Sequence, residues 1–381
     1  MNFIRTFLSL RENTEVPGHF CFWSAVSGLA SCLGRSAWLD MSNRWTLYPN
    51  FFIVLVAGSG RLHKSTAIDW MEDLLHEVSP PLNIISQKLS PEKLITALHP
   101  SKSKDLTEGV IVVDELSIFL NRNSYIQGLG TLLIPLMDCK KHYSYDTHIR
   151  GKEKLNNCCL NVLSATTPHS LHDDQPTNLL GSGLSSRMIF AHVSKPEPPV
   201  GLPPKDDKWG EKNEQLLEHL NKVRLLQGQF KVPDEVFEKY DEDHKTWCNE
   251  NEEWFNDPFR TGYASRRSQH ILRLAMVFAV SEDPKLEISL DHYEGAKLSI
   301  EESERNMNKI VRYVTGTEEG RFYEAIKAYI RAKGRISKTN LTKAFAHQMK
   351  RREMNEHLDT LIEAGEVVAR PDGGRIFYLC K

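Results

Sequence analysis

Between Val56 and Ala67 the chain reads VAGSGRLHKSTA. This nearly matches G-x-x-x-x-G-K-[ST], the spacing with which a backbone wraps a polyphosphate. Gly58 opens the pattern and Lys64-Ser65 close it, but His63 stands where the second glycine belongs. Gly58 and Gly60, with Ser59 between them, permit the turns that aim backbone N–H groups at phosphate oxygens. A helix starting here would add the positive end of its dipole. Lys64 supplies an ammonium for the β- and γ-phosphates, Ser65 a hydroxyl for Mg²⁺, and Thr66 the start of the helix. His63 counts with this nucleotide-binding set, yet its side chain must point away from the phosphates or the loop must bend differently.

Fifty residues after Lys64, the apolar run VIVV ends in Asp114-Glu115. Carboxylates at the carboxyl end of a parallel strand face the crevice where α/β sheets bind ligands. Asp114 is the expected Mg²⁺ holder. Glu115 is the expected general base, polarising a water for attack. Together the pattern and the acidic pair predict ATP and Mg²⁺ as substrate and cofactor.

These residues need a sheet to position them. Phe51–Val56 is a continuous apolar run, as in a strand covered on both faces. STAIDWMEDLLHEV has helical periodicity, NIIS suits a short strand, and SPEKLITALH opens with Ser90 capping and Pro91 at the first helical position. With VIVVDE this is βαβαβ order, hence an α/β fold with a parallel sheet and helices on both faces. Upstream, residues 18–34 read as a core helix and RWTLYPN as a short strand and turn. Downstream, KHYSYDTHIRGKEKLNN predicts a β-hairpin and CLNVLSATTP a further apolar strand. KPEPPVGLPP at 195–204 is a boundary. Residues 205–310 read as helical, with Trp209 to Trp254 an acidic insert expected to be a solvated surface. The last sixty residues predict three helices, 321–333, 338–346 and 350–364, then two strands around Asp372-Gly373-Gly374. Three helices and a hairpin make a winged helix. The expected organisation is a helical segment at 1–45, the phosphate-loop core at 46–200, a helical insert and lid at 201–315, and the winged helix at 316–381.

The bulk numbers fit a soluble α/β protein of 381 residues, 40% apolar and 26% charged. No apolar run is long enough to span a bilayer, and MNFIRTFLSLRENTE breaks into charge too early for a secretory signal. Seven cysteines without a CxxC or a Cys/His metal spacing, and fifteen scattered histidines, predict free thiols, a cytoplasmic location and no built-in metal cluster. The net charge of −2 hides an asymmetry: residues 321–381 carry thirteen Lys/Arg against seven Asp/Glu. A basic terminal module on an acidic body predicts a local anionic partner, nucleic acid first.

The ordered set of motifs resembles the ring-forming AAA+ (ASCE) motors, most closely the minichromosome-maintenance helicases. VLSATTP resembles the strand that ends in a polar sensor before a proline, which implies Thr167, with Thr166 second. GLSSRMIFAHV resembles the box whose arginine reaches a neighbour's γ-phosphate, which implies Arg187. SRRSQHILRLAMVFAVSEDPKLEISLDHYEGAKLSIEES resembles the lid, which implies a nucleotide contact from Arg266 or Arg267. From Pro17 to about Ser303 the chain also resembles P-loop proteins of phages and mobile elements that often accompany primases. These often lack the second loop glycine. The resemblance implies a homo-hexameric ATP-dependent helicase or translocase on single-stranded and duplex DNA, with a primase or loader on a separate chain and no membrane partner. The alternative is an ATP-gated loader, initiator or regulator that unwinds nothing. In such motors the hairpin before the sensor strand grips the nucleic acid, which implies Lys140, Lys141, Arg150, Lys152 and Lys154. On the winged helix, Lys350-Arg351-Arg352 at the start of its third helix, with Arg370 and Arg375 on the wing, are the expected DNA contacts.

Overall fold

The computed structural model describes residues 1–380 apart from 59, 61, 87–89, 99–105, 121–127, 148–150, 174–182, 258–259, 316–317, 348 and 373–374. Side chains at 147, 151–152, 172–173, 308–309, 311–315, 318–321, 324, 328 and 375 also fall outside the description. The chain divides into two units, Met1–Ile310 and Val311–Lys381.

The first unit begins with α1 (Phe3–Ser9) and α2 (Gly18–Leu33). Thirteen of the sixteen α2 residues are buried, as the all-round apolar run requires. A hairpin of β1 (Ala37–Met41) and β2 (Trp45–Leu47) leads to β3 (Phe52–Val56), α3 (Lys64–Glu77), β4 (Ile84–Ile85), α4 (Pro91–Leu98) and β5 (Thr107–Val113). The Ser90 hydroxyl accepts the Lys93 N–H at 3.4 Å, so the expected cap on α4 is present. After α5 (Leu116–Phe119) and α6 (Leu129–Met137) come the hairpin of β6 (His142–Thr147) and β7 (Gly151–Asn156), then β8 (Cys158–Thr166), α7 (Pro168–Asp173) and β9 (Met188–His192).

Five of these strands form one sheet, in the order β4-β5-β8-β3-β9, with every pair parallel. All residues of β3, β8 and β9 are buried. Each Val, Leu or Ile so covered contributes roughly 1.5–3 kcal/mol. The order matters for chemistry, because β8 lies between β3 and β5. Register sets Val56 beside Thr166 and Val113 beside Ser164. The two residues after Val113 therefore run alongside the end of β8.

The helices that follow are α8 (Trp209–Arg224), α9 (Asp234–Glu250), α10 (Glu252–Asn256), α11 (Thr261–Ala264), α12 (Arg267–Glu282) and α13 (Leu290–Thr315). A two-residue strand, β10 (Gly228–Gln229), pairs with β1. The expectation of a solvated insert needs correction at α8. Leu216, Leu220 and Val223 are buried, the His219 Nε2–H donates to the Val280 carbonyl at 2.7 Å, and Trp209 meets Trp70 edge-on at 5.6 Å. Apolar groups on one stripe of an acidic helix bury that stripe and leave the charges outside.

The second unit has α14 (Glu318–Lys333), β11 (Ile336–Ser337), α15 (Lys338–Phe345), α16 (Arg351–Glu363), β12 (Val367–Asp372) and β13 (Arg375–Cys380). Its antiparallel sheet runs β11-β13-β12, so β11 adds a strand that the sequence did not announce. Ile326, Ile330, Leu341, Phe345, Leu358 and Val367 belong to its core. No helix among the described residues is long and apolar enough to cross a membrane.

Candidate functional site

The end of β3 opens into a loop whose Gly58 and Gly60 are exposed, with no described neighbour within 4 Å of where a Cβ would stand. Gly60 has φ +95, which glycine adopts without strain. His63 is left-handed as well, at φ 44 and ψ 40. The geometry thus asks for glycine where the common pattern has glycine, and histidine bears a modest backbone cost instead. Its imidazole turns toward the N-terminal segment, with Nε2 3.8 Å from the Glu15 carboxylate. Glu15 in turn accepts the Val200 N–H at 2.9 Å.

No side chain caps α3 among the described residues, so its first N–H groups carry no side-chain partner. The Lys64 ammonium donates to the carbonyls of Ala57 at 2.8 Å and Gly58 at 3.2 Å, folding back over its own loop. Partial burial lowers its pKa, and the Glu115 carboxylate acts in the opposite sense. Ser65 is exposed on the first turn and Thr66 half-buried beside it.

Across the sheet edge, the Thr166 hydroxyl donates to Glu115 Oε1 at 2.9 Å, as the strand register requires. The same oxygen caps α5 by accepting the Ser117 N–H at 3.4 Å. Glu115 is thereby fixed while Asp114 stays open to solvent. Partial burial, then Glu72, raises the Asp114 pKa, and burial followed by Asp114 raises that of Asp69. Asp69 lies one helical turn after Ser65, so Ser65 and Asp114 flank the same acidic corner. Thr167 has another task. Its hydroxyl accepts the Ser170 N–H at 3.0 Å and caps α7, whose first residue is Pro168. The threonine that meets the carboxylate is Thr166, the second of the two named for the sensor place.

The arginines do not join this corner. Arg187 precedes β9 at the opposite edge of the sheet and is buried. It makes a bidentate pair with Asp138, Nε to Oδ1 at 2.8 Å and Nη2 to Oδ2 at 2.5 Å, and it donates to the Gly183 carbonyl. Arg266 shares that aspartate at 3.4 Å. Burial, then the charge of Arg187, lowers the Arg266 pKa, and Asp138 opposes both. Arg273 donates to the Asn50 carbonyl at 3.1 Å. Strand rise is about 3.3 Å per residue, so Asn50 lies roughly 20 Å from Ala57. Arg267 is locked elsewhere, with Nε on Glu304 at 2.8 Å and its guanidinium 4.6 Å over the Trp247 ring. Among the described contacts Arg266 and Arg267 pair with Asp138 and Glu304, and Arg187 pairs within its own chain.

No known family model matches this chain, and no curated protein matches it either.

Among the expected DNA contacts, Lys140, Lys141 and Lys154 are exposed at the base and along the β6–β7 hairpin. Lys350, Arg351, Arg352 and Arg370 are exposed on the second unit. Arg352 pairs with Glu356 at 3.0 Å, and the Lys350 N–H donates to Glu353 at 3.0 Å. Ser59 and Arg150, and the side chains of Lys152 and Arg375, lie outside the described residues.

The sequence reading missed Glu15, Asp138 and Asp69. Thr167 before Pro168 carried a usable signal, since threonine before a proline at the first helical position is a cap signature. Asp138 had none: its partners come from residues about fifty and 130 positions away in sequence.

Proposed function

We propose that the first unit is a P-loop nucleoside triphosphate hydrolase working with Mg²⁺, and that the chain acts as a ring-forming ATP-driven translocase or helicase on DNA in the replication of a phage or mobile element. The hydrolase part rests on one observation. Lys64, Thr166 and Glu115 stand at the carboxyl ends of three adjacent parallel strands, with the Thr166–Glu115 hydrogen bond spanning two of them.

The donor set fits the ligands. The open glycine loop and the uncapped start of the fourteen-residue α3 offer N–H groups to phosphate oxygens. Lys64 exchanges its two carbonyl contacts for phosphate oxygens, a charge-assisted gain over neutral acceptors. Among the described residues no group of three His, Cys, Asp or Glu side chains could hold a metal alone. That suits Mg²⁺, which takes one or two protein ligands and completes its shell with phosphate and water. Ser65 and Asp114 would hold it, and it would neutralise charge on the β- and γ-phosphates. Glu115 takes the proton from the attacking water as the γ-phosphorus–oxygen bond to the nucleoside diphosphate breaks. Thr166 holds the carboxylate in position for this.

The motor part rests on the resemblance to AAA+ ring motors, on the exposed lysines of the basic hairpin and on a second unit of three helices with a small antiparallel sheet. One observation favours a second reading, an ATP-gated loader or regulator. Arg187, the trans-acting group of the ring reading, is satisfied by Asp138 in its own chain.

The deciding experiment measures Mg²⁺-dependent ATP hydrolysis with and without single-stranded DNA. Glu115→Gln is expected to lower kcat by about 10²–10⁴-fold, the contribution of a positioned general base. Full activity in that variant overturns the hydrolase reading. Wild-type hydrolysis without strand displacement selects the switch over the motor.

A further inference from the structure

The second unit has two basic faces, and their electrostatics differ. The expected DNA face, the start of α16, carries Lys350, Arg351 and Arg352. The same helix exposes Glu353, Glu356, Asp359 and Glu363. Glu356 pairs with Arg352, Glu353 caps the helix by accepting the Lys350 backbone N–H, and the four carboxylates outnumber the three cations. The face is close to self-neutralised.

The other face is a hollow of about 610 Å³ formed where α14 ends, β11 starts and α15 packs. Lys333, Arg335 and Lys343 line it, with Tyr329, Phe377 and Asn340. Among the described residues its lining includes no carboxylate. Asp372, outside that lining, pairs with Arg335. The Arg335 guanidinium lies 3.9 Å from the Phe377 ring centre, and the Lys333 ammonium 5.9 Å from that of Tyr329. Stacking on one face keeps a guanidinium's edge pointing outward, where Arg335 would exchange Asp372 for phosphate oxygens, and half-buried rings beside it accept an unstacked base. Gly334, at φ +65, turns the chain between Lys333 and Arg335 so that both flank the hollow.

We propose that this hollow binds a single-stranded nucleic acid. Lys333, Arg335 and Lys343 contact successive phosphates, and Tyr329 with Phe377 offers a platform for a base. Cations spaced along a groove with interleaved aromatic rings are the general means of holding a single strand without reading its sequence. An acidic peptide would use the cations but has no use for the rings. The inference rests on the nucleic-acid part of the proposed function and moves the contact away from α16.

The test is fluorescence anisotropy of the full chain with labelled oligothymidine over a range of salt concentrations. A pocket variant combines Lys333→Ala, Arg335→Ala and Lys343→Ala. A helix variant combines Lys350→Ala, Arg351→Ala and Arg352→Ala. The pocket variant is expected to bind about tenfold or more weakly and to flatten the dependence of log K on log salt by about 2, the slope of three lost phosphate contacts on a single strand. The helix variant is expected to change affinity by less than about threefold. Lys343→Glu alone, on an exposed position of α15, gives a second route to the same loss if the triple variant fails to fold. Unchanged binding by the pocket variant, or an equal loss in the helix variant, overturns the proposal and leaves the wider nucleic-acid reading in place. Displacement of the oligonucleotide by polyglutamate at equal charge overturns it in favour of an acidic protein ligand. Failure of the wild-type chain to bind any oligonucleotide overturns both.

Discussion

At Ala57, where β3 ends, a lysine lies across loop carbonyls next to an uncapped helix and two exposed glycines. Near Asn50, where β3 begins, Arg187, Arg266 and Arg273 gather about Asp138 and one backbone carbonyl, largely out of water. Both edges hold cations that a motif reading assigns to the same phosphate. The first edge has groups whose present partners are weak and replaceable. The second has guanidiniums tied to Asp138 or to a backbone carbonyl, and removing Arg187 leaves the aspartate's charge poorly compensated. Chemistry needs the first condition and architecture produces the second.

The largest effect expected from breaking this contrast is at Arg187. Arg187→Ala leaves the partly buried Asp138 with Arg266 as its one remaining ion-pair partner among the described residues, and since loss of one member of a fully buried pair costs about 3–5 kcal/mol, the cost here is up to about 3 kcal/mol. The urea midpoint of the first unit should fall accordingly. All seven tryptophans lie in Met1–Ile310, so their fluorescence follows this unit. An arginine acting on a neighbour's nucleotide gives the converse result: unchanged midpoint and lost ATP hydrolysis. That outcome would show the Asp138 pair to be broken in the working assembly.

A second break is by pH, through His270 on the same edge. It is buried, its Nε2–H donates to the Ser186 carbonyl at 3.1 Å, and its ring stacks on Tyr263. Burial, then the charge of Arg273, pushes its pKa down from 6.5 to about 3. The unfolded chain protonates this histidine near its ordinary value, and the folded chain does so only near pH 3. Between those values the unfolded state binds the extra proton, so stability falls as pH falls, by about 1.4 kcal/mol per pH unit from this group. The urea midpoint between pH 6 and pH 4 should show this slope. His270→Gln keeps a donor for Ser186 and should flatten it, leaving the smaller contributions of His19 and His219, whose pKa values burial also lowers. An unchanged slope in that variant removes His270 from the account.

The contrast also explains what could be read in advance. Local features were legible: the all-buried run of β3, the Ser90 cap, the hairpin and the helices of the second unit each depend on neighbours in sequence. The sheet order was not, because nothing within β3, β5 or β8 says that β8 intervenes, and that insertion is what brings a threonine to Glu115. The fate of the arginines was hidden for the same reason. A guanidinium's role depends on the nearest carboxylate in space, and Asp138 is forty-nine residues from Arg187. His63 was half legible. The missing glycine was visible, but its left-handed backbone and the Glu15 contact needed the fold.

The finest test separates the two threonines at the end of β8. Thr167→Ala removes the α7 cap, which costs about 1 kcal/mol, and leaves the Thr166–Glu115 bond in place. Its ATP hydrolysis below the melting transition should match wild type. Thr166→Val is nearly isosteric and removes the hydroxyl that Glu115 accepts. A hydrogen bond to a charged group is worth about 1.5–3 kcal/mol, so a carboxylate freed to rotate should lower kcat about tenfold or more, with KM for ATP little changed. Both variants are assayed below their melting transitions, where the folded fraction stays near one and a kcat loss reports the site rather than destabilisation. If Thr167→Ala instead shows the kcat loss and Thr166→Val does not, the hydroxyl that works in catalysis is the one here seen capping α7. The carboxyl edge must then rearrange when nucleotide binds.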